Sequence, residues 1–157
     1  MTDFRCMPIS ASIADRFRAT GVDDGGNALR RRGPGADSRC PCRRCLRFSG
    51  PGQTVLLGSF HLAQPRGVYW SASPIFVHAE PCEAFDRVNE IPEIVRDSLV
   101  SVRAYDRDDM GLYDLGQVAE GRDVDRPLAR ALGDARTAFV NIHTAKPGCL
   151  LCRAERC

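Results

Sequence analysis

Pro51-Gly52-Gln53-Thr54-Val55-Leu56-Leu57-Gly58-Ser59-Phe60-His61-Leu62 is the run from which the fold is read. A Pro-Gly turn pair opens it and a β-branched and aromatic stretch follows, so it predicts a strand over 53–62. Downstream, further strands are expected at 68–70 and 75–80. A short helix is expected over 91–99, with Pro92 in its first turn. Residues 100–105 and 111–114 read as a hairpin around Asp106-Arg107-Asp108-Asp109, extended by 115–120. Asp123 can cap a helix through Val124, Leu128 and Leu132 that stops at Gly133. Strands at 137–144 and 149–155 flank the turn Lys146-Pro147-Gly148. Upstream, 4–9 reads as a first strand. Ser10 or Ser12 opens a helix through Ile13 and Phe17 that ends at Gly21. Many strands with two or three short helices predict an α+β fold with a mainly antiparallel sheet. The exception is 21–52, an Arg/Gly/Cys-rich stretch without hydrophobic periodicity. It reads as a long loop in the N-terminal half, and such a loop needs a tie or a task.

The 157 residues are 43% hydrophobic and 27% charged, enough apolar material for a core in a single domain spanning 1–157. No apolar run approaches the roughly 20 residues of a membrane helix, and Met1-Thr2-Asp3-Phe4-Arg5-Cys6 is not a secretory signal. A cytoplasmic protein with no membrane partner is expected. Net charge is +2, but its parts are segregated: 30–47 carries a net +6 and 80–125 a net −8. A basic loop could meet phosphate. The acidic remainder and the lack of an aromatic-rich basic surface disfavour nucleic acid, and the simpler reading folds the loop over the acidic body. Among 22 basic residues only Lys146 is lysine, which looks like a coding bias and discounts arginine arguments generally.

Eight cysteines without an export signal point to thiols in a reducing compartment, where they are buried, metal-bound or redox-active. Cys40-Pro41-Cys42-Arg43-Arg44-Cys45 is the densest chemical feature. Cys42 and Cys45 have the C-x-x-C spacing that lets two thiolates grip one zinc ion, and the flanking arginines would favour thiolates. Cys149-Leu150-Leu151-Cys152 repeats the spacing about a hundred residues on. There it falls in an expected strand, where positions i and i+3 face opposite ways, so one of the two is the better partner for the loop. His78 and Cys82 complete the candidates. Against this, Cys6, Cys82 and one of Cys149 or Cys152 read as small buried hydrophobes and Cys157 as a frayed end.

Several stretches resemble DUF1203, a family of bacterial proteins of unknown function. They are 21–27 (Gly-Val-Asp-Asp-Gly-Gly-Asn), 41–46 (Pro-Cys-Arg-Arg-Cys-Leu), Pro51-Gly52 with Leu56-Leu57, and 74–80 (Pro-Ile-Phe-Val-His-Ala-Glu) with Cys82. Further on come Arg103-Ala104-Tyr105-Asp106, Ala138-Phe139-Val140, Gly148-Cys149 and Glu155-Arg156. The resemblance implies one compact domain and brings no activity or ligand set. It does imply that Cys42, Cys45, Cys82, Cys149 and His78 occupy family positions. Cys40, Cys152 and Cys157 do not, and Asn141 stands where a histidine is expected.

The metal-ligand candidates are therefore Cys42, Cys45, Cys82, Cys149 and His78, with zinc as the cofactor. The leading reading is a small binding or structural protein whose loop is fastened to the sheet by zinc, Cys42 and Cys45 coming from the loop and Cys82 or His78 with Cys149 from strands. The competing reading is a thiol redox protein or enzyme in which Cys42 attacks and Cys45 resolves. A Cys82–His78–Glu80 nucleophile constellation is weaker, because such groups meet in space rather than in sequence. Asp23, Asp24 and Asn27 lack calcium-loop spacing and read as a turn. No phosphate-binding loop is present, and substrate and partner are not legible.

Overall fold

In a computed structural model the described residues are 2–33 and 39–157. Pro34, Gly35 and Asp37 of the expected loop lie outside them. The fold is α+β with two antiparallel sheets. The larger has five strands: β1 (Phe4–Met7), β5 (Leu99–Tyr105), β6 (Gln117–Glu120), β7 (Phe139–Thr144) and β8 (Leu150–Arg156), in the order β1-β8-β7-β5-β6. The smaller is β2 (Arg30–Arg32), β3 (Val55–His61) and β4 (Ala72–His78). Among the described residues three α-helices accompany them: α1 (Ala11–Thr20), α2 (Glu93–Arg96) and α3 (Asp125–Gly133). Among the described residues no helix is long and apolar enough to cross a membrane.

Alternation decides which face each strand buries. Val100, Val102 and Ala104 of β5 and Val140 and Ile142 of β7 point toward Ile94, Leu128 and Leu132 of the helices and form one core. The opposite face of β5 and β7 carries Ser101, Arg103, Tyr105, Phe139, Asn141 and His143. The smaller sheet has its own core, in which Leu56, Phe60, Ile75 and Val77 meet Phe17 of α1 and Leu150 of β8. Each such buried side chain contributes about 2 kcal/mol, so the smaller core gains noticeably from any cross-link beside it.

The expected strand at 53–62 is β3, paired along its length with β4 from Val55↔His78 to His61↔Ala72. The helix ending at Gly21 is α1: Gly21 takes φ 66° and its N–H caps Phe17 O at 3.0 Å. Three expectations are corrected. Residues 68–70 are not a strand, because the chain turns through a 3-10 helix over Gly67–Tyr69. Residues 111–114 make only a single bridge, Gly111 to Tyr105, before a 3-10 turn at Tyr113–Leu115. The stretch 21–52 is not structureless. Arg30, Arg31 and Arg32 pair with Leu57, Leu56 and Val55 through the backbone. Gly58 lets the preceding loop lie close, since a Cβ there would meet Leu29 and Asp23. Asp23 anchors that loop by accepting from the Asn27, Ser59 and Gly25 N–H groups.

Candidate metal centre

The 40–49 segment is a knuckle folded against the end of β4. Ser49 N donates to Cys40 O at 2.8 Å and Cys42 N to Arg47 O at 2.9 Å, closing a short hairpin. Leu46 N donates to Cys42 O at 3.0 Å, and Leu46 itself takes φ 54°, so the chain after Cys45 turns sharply. Three backbone contacts fix the knuckle in place. Arg43 N donates to Phe76 O, Ile9 N to Arg43 O, and Phe85 N to Arg44 O. A parallel bridge between Cys42 and Phe76 continues the smaller sheet.

This docking brings four ligand-type side chains together. The donor atoms of Cys42, Cys45, His78 and Cys82 all lie within 4.8 Å of one another. The Cys42 and Cys82 sulfurs are 3.8 Å apart, and Cys45 Sγ is 3.5 Å from His78 Nδ1. His78 is the last residue of β4, and Cys82 follows a bend at Ala79-Glu80 that takes the chain away from the strand. Cys42 has no exposed surface and His78 is buried, whereas Cys45 and Cys82 are half-buried. Cys45, His78 and Cys82 border an open cleft of about 600 Å³. Such a group can hold a metal ion.

The surroundings suit thiolates and a neutral imidazole ligand. Cys42 Sγ accepts from the backbone N–H of His78 at 3.4 Å and of Arg44 at 3.5 Å. Arg18 reaches Cys82 Sγ through Nη2 at 3.9 Å and donates from Nε to His78 O. The Gln53 Oε1 accepts from Gly50 N at 2.7 Å and from His78 Nε2 at 3.1 Å. Two donors on one atom identify it as the amide oxygen and place the imidazole proton on Nε2. Nδ1 is left facing the sulfurs. Hydrogen bonds from Cys45 and Cys82 hold the Cys42 thiol well below its ordinary range against the opposing effect of burial. The same contacts with Cys42 and Cys82, aided by burial, push Cys45 up. Contacts with Cys42 and Cys82 raise His78 to about 9 against burial. Without a metal ion the cluster thus keeps a negative charge on Cys42 and protons on Cys45 and His78, which a metal ion would displace.

Beneath the knuckle lies Arg43, 2% exposed, donating from Nε to Leu150 O at 2.5 Å and from Nη1 to Pro41 O. Among the described residues no carboxylate pairs with it. Burial lowers it to about 10, opposed by the influence of Cys149, Cys42, Cys152 and Cys40. It stays charged at neutral pH among sulfurs.

Cys149, in the turn before β8, is near enough to influence Arg43 but is not one of the four converging residues. Cys152 and Cys6 are buried in the larger core, as their expected packing role requires. Gln53 and Arg18 carried no signal in the sequence, because neither belongs to a motif and both act through contacts made only after β3 and α1 dock. Of the basic stretch, Arg39 pairs with Asp97 at 2.9 Å and Glu93 at 3.8 Å, linking the knuckle to the acidic segment.

The family model for DUF1203, described as a protein of unknown function, matches residues 39–156. The chain belongs to the DUF1203 family. The match covers all four converging residues of this DUF1203 chain. No curated protein and no solved structure matches it.

Gln53 gives a specific prediction. Gln53→Ala removes the acceptor that orients His78 and should weaken the cluster's hold on a metal ion, with zinc as the probe, by about 10-fold or more, read by competition with a colorimetric chelator. Unchanged affinity would mean that the imidazole needs no such support.

Proposed function

We propose that Cys42, Cys45, His78 and Cys82 bind one zinc ion with four protein ligands, and that the ion fastens the knuckle and the 79–92 segment to the smaller sheet. The spacing of the donors carries this reading. A tetrahedral zinc site with Zn–S near 2.3 Å and Zn–N near 2.0 Å requires edges of about 3.8 Å between sulfurs and about 3.5 Å between sulfur and nitrogen. The Cys42–Cys82 and Cys45–His78 separations, 3.8 and 3.5 Å, match those edges. Three thiolates and Zn²⁺ would leave one net negative charge, for which Arg43 and Arg18 are the nearby cations. A site closed by four protein ligands is architectural rather than catalytic. The protein then acts as a binding or structural domain, with 1–157 folding as one unit and free thiols suited to the cytoplasm.

The redox reading, with Cys42 as the attacking thiol, is less well supported because Cys42 has no surface on which to meet a substrate. Protein purified without chelator should contain close to one zinc per chain by elemental analysis. Its Cys42 should resist alkylation until zinc is removed. Metal-free protein in which Cys42 alkylates fastest of all the cysteines would favour the redox reading instead.

A further inference from the structure

The metal centre is not equally closed on all sides. Cys42 has no exposed surface, and the backbone N–H groups of His78 and Arg44 hold its sulfur. Cys45 and Cys82 are half-buried and border the cleft of about 600 Å³. A small solute entering the cleft therefore reaches Cys45 and Cys82 but not Cys42.

Cys45 and Cys82 are held differently. Cys45 belongs to the knuckle, whose backbone is fixed on both sides of it by Arg44 O accepting from Phe85 N and Leu46 N donating to Cys42 O. Around Cys82 the backbone of residues 80–84 makes no hydrogen bond among the described residues, and the stretch has no helix or strand. Cys82 can therefore shift where Cys45 cannot. Its sulfur lies 3.8 Å from that of Cys42, so a movement of about 2 Å brings the two to bonding distance. Arg18 Nη2 reaches the Cys82 sulfur at 3.9 Å, which sets a cation beside the accessible thiol. An accessible sulfur, a second sulfur next to it and a backbone free to adjust are what two-step thiol oxidation requires. Cys6 and Cys152 also adjoin each other, but both are buried in the larger core, away from any oxidant in solution.

We propose that Cys82 is the site at which hydroperoxides modify this protein, and that the product is a Cys42–Cys82 disulfide with release of the zinc ion. The inference rests on the zinc reading above and names how that site is regulated. The Cys82 thiolate attacks a peroxide oxygen. An S–O bond forms, the O–O bond breaks, and hydroxide or alkoxide leaves, so that sulfur loses two electrons and the peroxide gains them. The Cys42 thiolate then attacks the Cys82 sulfur. An S–S bond forms, the S–O bond breaks, and hydroxide leaves. Solvent supplies the protons that neutralise both leaving groups. Two of the four zinc ligands are consumed, and Cys45 with His78 alone make an incomplete site. The knuckle stays tied to the 79–92 segment, now through a covalent bond, while Cys45 and His78 are freed at the edge of the cleft.

Full-length protein, loaded with zinc under reducing conditions and then freed of reductant, is treated with hydrogen peroxide beside a colorimetric zinc chelator. About one zinc and about two free thiols per chain should be lost, and peptide mass spectrometry should find Cys42 joined to Cys82. Dithiothreitol should restore both thiols and zinc binding. Zinc retained with every thiol reduced would overturn this inference and leave the zinc site standing. So would oxidation that falls on Cys45 while Cys42 and Cys82 stay unjoined. Protein that takes up no zinc before peroxide is added would overturn the zinc reading and this inference together.

Discussion

Cys42→Ser should abolish zinc binding and lower stability by about 4 kcal/mol. For a chain of this size that corresponds to a fall in Tm of roughly 12 °C. The physical basis is the position of Cys42. It is the deepest of the four converging residues, its sulfur accepts two backbone N–H bonds, and its peptide group ties the knuckle to β4. Serine is close to isosteric with cysteine, so the loss is not a packing defect. The full free energy of a zinc site is larger than this, but most side chains of the two hydrophobic cores are not among the four ligands, so the expected loss is confined to the clamped part of the fold. Cys149→Ser is the informative companion. Cys149 is not among the converging donors, and its replacement should leave one zinc per chain and shift Tm by less than about 3 °C. Thermal unfolding by circular dichroism, with zinc assayed in the same samples, separates the two. Equal loss of zinc in both variants would contradict the assignment.

Arg43→Met should cost about 3 kcal/mol when zinc is bound and distinctly less when it is removed. A buried guanidinium without a carboxylate is ordinarily a liability. Here its Nε and Nη1 donate to the carbonyls of Leu150 and Pro41, joining β8 to the knuckle, and its charge offsets that of the thiolates. Methionine keeps much of the volume while removing the donors and the charge. The loss of hydrogen bonds is felt in both states, whereas the loss of charge is felt mainly when three thiolates surround the metal. Urea unfolding with saturating zinc and with a strong chelator gives the two differences. If they are equal, Arg43 is a structural strap with no electrostatic part in the centre.

The strand at 53–62 and the two closing strands were legible because hydrophobic alternation there coincides with burial on one face. β2 was not, because Arg30-Arg31-Arg32 has no alternation and joins the sheet through backbone hydrogen bonds alone. At 68–70 the residues Val68, Tyr69 and Trp70 have strand propensity, but Gly67 at φ 71° and the contacts of Tyr69 wind them into a 3-10 turn. Local propensity lost to tertiary context in both places. The C-x-x-C pair and the candidates His78 and Cys82 could be named from the sequence. That both converge on the loop could not, because it depends on how the chain bends at Ala79-Glu80 after β4. Cys149 was a reasonable candidate by residue type. The pairing of β7 with β8 sets its place in the turn next to Arg43, and no local pattern encodes that register.

Zinc-edge X-ray absorption on protein purified without chelator tests the central claim most directly. The proposed centre predicts three sulfur scatterers near 2.3 Å and one nitrogen near 2.0 Å per zinc, with the nitrogen signal lost in His78→Ala. A shell of oxygens, a shell that keeps its imidazole in His78→Ala, or protein that takes up no zinc would contradict it.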